Sequence, residues 1–400
     1  MRDVKGRRLE GLLASFDASY GTNGRRLVRV EAPARTEIAG NHTDHEGGDV
    51  SAGALNRSIL GVAAANGTNE VRLSSEGFDP ITVSLDELEP RADEKVTTKG
   101  LVRGMAAQLA TTGRTPQGFD LVMTSDIPSG GGLSSSAALE LAIGRVMETL
   151  WEGPTVNAPT LARMGQISEQ RYFGKPCGLM DQMSVAVGGI AHMSFLDPEN
   201  PVVTRLDFDF ERAGYAICLV DVGCDHSRFT DEYAAVPDEM HAVAHEFGVD
   251  RLCEVDAESF DAAVPALREK LGDRALLRAI HYYREEELVH ARRDALAAGD
   301  IDGFLELTRE SGASSAMFLQ NVSCGGSYQP AMVALGLAER LLAGLGATRI
   351  HGGGFGGSIQ AFVPLDDVRD FTSGMDSWLG EGSCERYAIS TEGARASWLR

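Results

Sequence analysis

The sequence predicts an α+β protein of two domains, on three observations. The chain has 400 residues, too many for one ordinary core. Its first half mixes strand-like and helix-like segments. Its second half is mostly helix-like, so the pattern does not follow the strand–helix alternation of a doubly wound sheet.

The elements follow in chain order. Residues 27–30 alternate apolar and charged side chains, as a half-buried strand does. Residues 53–65 are small and apolar and read as a second strand. Residues 71–73 and 81–85 flank Gly77 and Pro80 as a hairpin. Residues 99–112 have helical spacing and stop at Gly113. Residues 119–125 form a strand closed by Pro128. A glycine- and serine-rich run, 129–136, then leads into a helix over 137–150, where Leu139, Ile143, Val146 and Leu150 share a face. Another helix covers 159–173 and ends at Gly174 and Pro176. Residues 190–195 and 215–222 read as strands. The polar stretch 197–211, with Pro198 and Pro201, marks the domain boundary, giving domains 1–200 and 201–400. Beyond it, residues 231–247, 260–272, 275–298, 301–311 and 330–345 are helical, and 349–363 carry a second glycine cluster between strand residues.

Composition narrows the function. With 43% hydrophobic and 24% charged residues the chain has the make-up of a globular enzyme. A net charge of −21 repels nucleic acid and anionic membrane, so neither is expected as a partner. An anionic substrate must then meet a local dipole or cation. The charged residues 1–9 lack the apolar stretch of a signal peptide, and no run is long enough to span a bilayer. Six scattered cysteines with no C-x-x-C pair fit a reducing cytoplasm.

The run Ser129-Gly-Gly-Gly-Leu-Ser-Ser-Ser136 has the parts of a phosphate cradle. Glycines let the backbone close around an anion without Cβ clashes. The helix behind supplies free N–H groups and the positive end of its dipole. It is not a Walker loop, since no G-x-x-x-x-G-K-[ST] occurs. A literal G-x-G-x-x-G at Gly352, Gly354 and Gly357 is followed by strand-like residues rather than a helix, so it reads as a turn that approaches a ligand or another backbone closely. His42-Thr-Asp44-His45 shows no helical histidine pair and no distant third ligand, which disfavours zinc there.

Taken together, these motifs resemble the galactokinase branch of the GHMP kinase family. Three occur in order: residues 32–44, the loop and helix start 130–140, and the turn 352–358, with Pro176-Cys-Gly-Leu-Met-Asp-Gln182 between them. The resemblance covers about residues 29–363. It implies a two-domain GHMP kinase architecture, with an N-terminal domain like ribosomal protein S5 domain 2 and a helix-rich α/β sandwich at the C-terminus. It implies transfer of the ATP γ-phosphoryl group to the anomeric hydroxyl of galactose, in a monomer or weak oligomer. Asp181 matches the catalytic aspartate and Arg35 its partner. Such a pairing keeps the carboxylate ionised and offsets phosphoryl charge. The lowered basicity leaves open whether Asp181 takes the proton or orients the hydroxyl. Gly130, Gly131, Gly132, Leu133, Ser134, Ser135 and Ser136 match the ATP loop, and Ser136 with Glu169, twelve residues before Asp181, matches the Mg²⁺ site. Asp44, His42, Gly178 and Tyr233, seven residues after His226, match the sugar contacts.

One motif departs from the family. Galactokinases carry a glutamate where this chain has Asn41, a position expected near the sugar's 6-substituent. A neutral amide there bonds a 6-hydroxyl and repels a 6-carboxylate less. Galactose is thus the first expectation, with galacturonate, N-acetylgalactosamine and arabinose as alternatives. A galactokinase-like sugar sensor is a further alternative, disfavoured because Arg35, Asp181 and the loop serines are all present. Homoserine and mevalonate kinases fit residues 42–44 and 177–182 less well.

Overall fold

Two long strands dominate the first half of the computed structural model, which describes residues 2–22, 24–128, 132–224, 229–323 and 326–399. A helix α1 (Arg2–Tyr20) leads into β1 (Val28–Ala39) and β2 (Asp49–Ala65). Then come β3 (Glu70–Ser75), β4 (Ile81–Ser84), α2 (Thr98–Ala110), β5 (Phe119–Ser125), α3 (Ser135–Leu150), α4 (Ala158–Ile167), a π-helical turn (Ser168–Phe173), α5 (Met180–Val187), β6 (Ile190–Ser194) and β7 (Val202–Leu206). These strands build an eight-stranded sheet whose main path runs β12–β1–β2–β5–β3–β4, the terminal β12 (Arg395–Trp398) returning to pair with β1. Within it β3 and β5 run parallel and the other pairs are antiparallel.

β2 divides its outer edge, pairing residues 59–65 with β5 and 49–53 with β6. Its alternation sorts side chains onto two faces. Ile59 and Ala63 join the core beneath α2, α3, α4 and α5, while Leu60, Val62 and Ala64 pack on Leu12 and Phe16 of α1.

The rest of the chain adds β8 (Tyr215–Asp221), α6 (Thr230–Glu246), α7 (Ala257–Leu271), α8 (Asp273–Ala298), α9 (Ile301–Ser314), α10 (Pro330–Leu342), β9 (Ala347–Ile350), β10 (Ser358–Pro364), α11 (Val368–Leu379) and β11 (Cys384–Tyr387). Its sheet has the order β11–β8–β10–β9. One core lies under α10 and α11, and another is built from α6, α7 and α8. Ile38 of β1 and Ile190 of β6 pack with Ile217, Phe304 and Phe362, which joins the two sheets.

Several elements differ from expectation. β1 runs nine residues past Val30 because the register with β2 shifts between Pro33 and Arg35, and a proline is tolerated at such an irregularity. The polar stretch placed at the domain boundary contains β7, an exposed edge strand that pairs with β6. α3 begins at Ser135, two residues before the expected start.

Buried charge ties the sheets together. Glu37 of β1 accepts a hydrogen bond from Arg349 of β9, and both are almost fully buried. Arg292 of α8 lies 3.8 Å from Glu285 and donates to the Ile38 carbonyl. Removing one partner of a buried pair strands the other charge. Arg349→Met is expected to lower unfolding stability by about 3–5 kcal/mol in urea titration; a loss below about 1 kcal/mol would show that the pair is not holding β9 to β1.

Candidate functional site

The site is built around β1, where Arg35 pairs with Ala54 of β2 just past the register shift that follows Pro33. The Arg35 guanidinium grips Asp181 with two hydrogen bonds, Nε to Oδ1 at 2.6 Å and Nη2 to Oδ2 at 2.8 Å. Its third nitrogen, Nη1, donates to the Gly132 carbonyl, and its backbone N–H donates to the Leu133 carbonyl at 3.2 Å. One arginine thus joins β1, the glycine–serine loop and the first turn of α5. Burial pushes the Asp181 carboxyl up, but Arg35 and the Ser134 hydroxyl outweigh it, and the group lies below the usual carboxylate range.

The loop enters α3 through two left-handed residues, Gly132 at φ 67° and Ser134 at φ 57°. Ser134 occupies the N-cap position without capping, because its hydroxyl donates to Asp181 Oδ2 instead. The first N–H groups of α3 therefore keep no side-chain cap, and its first turn carries no acidic residue. Leu133 is buried, whereas Gly132 and Ser135 are exposed and Ser134 and Ser136 half-buried. Gly130 and Gly131, with Ser129, lie outside the described residues.

Behind Asp181, the expected Glu169 sits in a polar group with Glu140, Lys175 and Gln182, which the sequence did not single out. Ser136 Oγ donates to Glu169 Oε1 at 2.9 Å, Lys175 Nζ reaches the same oxygen at 3.3 Å, and Gln182 Nε2 donates to Glu169 Oε2 at 2.8 Å. Gln182 also donates to Glu140 Oε2 at 3.1 Å, while Glu140 Oε1 has no protein partner. Burial first, and then the neighbouring Glu169, push the Glu140 carboxyl well above its ordinary value. Glu169 lies in the π-helical turn, which continues the expected helix with altered pitch. Glu140, Lys175 and Gln182 each fall inside or beside a quoted motif, so position alone was a signal for them.

The other side of Asp181 holds the residues expected at the sugar. A Cβ on Gly178 would lie 2.3 Å from Asp44 Oδ2, so glycine is what lets this loop meet the carboxylate. Burial raises Asp44 and the nearby Asp181 adds to it, with His45 opposing. His42, at φ 60°, faces the Gly353 carbonyl through Nε2 at 3.0 Å, and burial pulls its pKa down to about 3. The Tyr233 ring lies tilted against His42, with centroids 5.5 Å apart, and covers Gly353, where a Cβ would lie 2.1 Å from its ring. Its phenol is pushed up to about 12 by burial first and then by Asp44 and Asp181. His226, from which the spacing to Tyr233 was read, lies outside the described residues.

Asn41, expected near the sugar, lies in the core. It is fully buried, and its amide is spent on protein. Nδ2 donates to the Gly352 carbonyl at 2.6 Å and to Glu37 Oε1 at 3.3 Å, while Oδ1 accepts from Asn321 at 2.7 Å. The side chain thus braces the glycine turn 352–357 and has no contact with solvent. The structure also finds the distant partner that the His42–His45 segment lacked in sequence: His241 of α6 lies 3.2 Å from Glu46, beside His45.

The chain matches two family models, "GHMP kinases N terminal domain" over residues 100–189 and "Galactokinase galactose-binding signature" over residues 14–65. It is 31% identical to the galactokinase of Glaesserella parasuis serovar 5 over 362 residues, covering 88% of this chain and 89% of that one. It is 30% identical to the galactokinase of Streptomyces coelicolor over 373 residues, covering 90% and 93%. Among solved structures it resembles Lactococcus lactis galactokinase complexed with galactose, at a TM-score of 0.80 and 26% identity over 96% of this chain and 99% of that one. Methanococcus jannaschii mevalonate kinase, at 13% identity and a TM-score of 0.65 over 92% and 99%, shares the fold.

A carboxyl with a raised pKa in the fold contributes stability that is complete below its unfolded value, 4.5 for Glu140, and is lost as pH rises through the folded value. Glu140→Gln abolishes that titration. In thermal unfolding without nucleotide, its Tm should gain on wild type as pH is raised from about 5 to about 8; a constant difference would mean that Glu140 does not titrate in this window.

Proposed function

The chain belongs to the galactokinase family of the GHMP kinases, and from that membership we propose an ATP-dependent sugar-1-kinase that phosphorylates the anomeric hydroxyl of galactose. The observation that carries the reading is the Arg35–Asp181 pair, set between the open N-terminus of α3 and the Asp44–Gly178 contact. Phosphoryl transfer needs positioning and charge compensation more than covalent chemistry. An ionised carboxylate beside a guanidinium supplies both.

In this reading Asp181 receives or orients the anomeric O–H, and Arg35 faces the charge that develops on the transferring group. The backbone N–H groups at the start of α3, with Gly130, Gly131, Gly132, Leu133, Ser134, Ser135 and Ser136, cradle the triphosphate. Asp44 accepts ring hydroxyls, His42 and Tyr233 border the ring, and Gly178 gives the backbone room to approach it. Ser136 and Glu169 fit Mg²⁺, since both ligand atoms are oxygens and stand 2.9 Å apart. When bound, Mg²⁺ would neutralise charge on the phosphate oxygens. We also propose a cytoplasmic setting, a monomer or weak oligomer, and the two-domain division near residue 200; among the described residues, no helix is long and apolar enough to cross a membrane.

Galacturonate gained its place from an Asn41 facing the sugar, and the burial of Asn41 removes that support. In a coupled ADP-release assay galactose should exceed galacturonate, N-acetylgalactosamine and arabinose by about tenfold or more in kcat/KM. Asn41→Glu should lower Tm and leave the galactose-to-galacturonate ratio unchanged; a shifted ratio in a variant of normal Tm would return residue 41 to the sugar site. Asp181→Asn should cut kcat by about a hundredfold to ten-thousandfold, with ATP affinity within about threefold of wild type. Wild-type turnover in that variant would overturn the assignment of Asp181.

A further inference from the structure

Asp49, His192 and His290 converge from three elements, at a place the kinase reading does not use. Asp49 opens β2, His192 lies on β6, and His290 comes from α8 in the second half of the chain. Both histidines point Nε2 at one oxygen, Asp49 Oδ2, each at 3.0 Å. One ligand atom from each residue fits within a span of 4.8 Å. We propose that this trio binds a divalent transition metal of the zinc class, clipping the first sheet to α8.

The chemistry of the donors selects the ion. Two imidazole nitrogens and one carboxylate oxygen suit zinc and its neighbours, whereas Mg²⁺ prefers oxygen ligands throughout. The Ser136–Glu169 pair is all oxygen, so the two places would take different metals without competing. Three protein ligands leave a fourth position to water. It would lie toward His290, whose side chain is 48% exposed, while Asp49 and His192 are 14% and 8% exposed.

The surroundings prepare the trio for a metal. Ser51 lies directly opposite His192 in the β2–β6 register, and its hydroxyl meets His192 Nδ1 at 3.1 Å. A hydroxyl either donates or accepts. It therefore supports the tautomer with hydrogen on Nε2, which faces Asp49, and the tautomer with hydrogen on Nδ1, which frees Nε2 as a ligand. A fixed second nitrogen is the usual outer support of a metal-binding histidine. Glu286, one turn before His290, accepts the Asp49 backbone N–H at 2.8 Å and anchors the start of β2 to the same helix. On binding, each neutral imidazole offers its Nε2 lone pair to the ion while its proton passes through water to Nδ1, and a doubly protonated ring gives up one proton to water.

The group His45, Glu46 and His241 has a similar donor set, but there His45 is already engaged with His42 at 3.4 Å. It serves as the internal control. Full-length protein stripped with EDTA and dialysed should bind one equivalent of Zn²⁺ with a Kd at or below about 1 µM, and its Tm should rise by about 2 °C or more under excess Zn²⁺. Mg²⁺ should give no such rise. His290→Ala, at a half-exposed helix position, and Asp49→Asn should each weaken Zn²⁺ binding at least about tenfold and abolish the Tm rise, while His241→Ala should keep both. Should wild type bind two equivalents, His290→Ala must bind one. No micromolar Zn²⁺ binding by wild type, unchanged binding in His290→Ala or Asp49→Asn, or loss in His241→Ala alone would overturn the proposal.

Discussion

A strand that carries buried charge must find its counter-charges elsewhere in the chain, and β1 finds them on both sides. Arg35 is answered by Asp181 of α5, and Glu37 two residues on by Arg349 of β9. Neither pair is interchangeable with apolar packing once one member is present, since a lone buried ion costs several kcal/mol. The two halves of the chain are therefore registered on one strand, close to its register shift between Pro33 and Arg35. Strand geometry, more than loop shape, decides where the reactive groups stand.

The same constraint explains how four acidic groups coexist within the site. Asp181 stays ionised because a guanidinium and a serine hydroxyl face it. Glu169 gathers Ser136, Lys175 and Gln182. Glu140, with one oxygen left unpartnered beside Glu169, is pushed toward its neutral form. Asp44 is pushed the same way by burial and by Asp181. Environments that drive neighbouring carboxyl groups apart in pKa are typical of catalytic sites. The division follows the cations: Asp181, beside Arg35, is held below the usual carboxylate range, while Glu140 and Asp44 are pushed above it, by burial first.

Much of this was legible in the chain, and the remainder was hidden for identifiable reasons. Segments with strong periodicity, such as α3 with Ile143 and Val146 or α8 with its long helical run, were readable because their burial follows one period. The pairing of Arg35 with Asp181 was readable through motif order, although its contact spans 146 residues and no local rule predicts it. α1 escaped notice because a charged start masks a short apolar face at Leu12 and Phe16. β7 escaped because an exposed edge strand has no apolar alternation to display. The Asp49, His192 and His290 convergence was invisible for a different reason: its members are separated by 143 and 241 residues, and only tertiary pairing brings them together.

Asn41 shows how a motif position can answer to the core instead of the ligand. Around it lie Glu37 and Glu285 against Arg292 and Arg349, all at or near full burial. Two negative and two positive groups balance, and burial already raises Glu37 against the pull of Arg349. A third carboxylate, 3.3 Å from Glu37, would unbalance the set in a place water does not reach. A neutral amide does not, and it offers donors to Gly352 and Glu37 and an acceptor to Asn321 that a carboxylate could not supply together. The neutral residue at position 41 is thus accounted for by charge balance in the core. Asp44, Gly178 and Tyr233, the other positions expected at the sugar, instead lie together on the far side of Asp181.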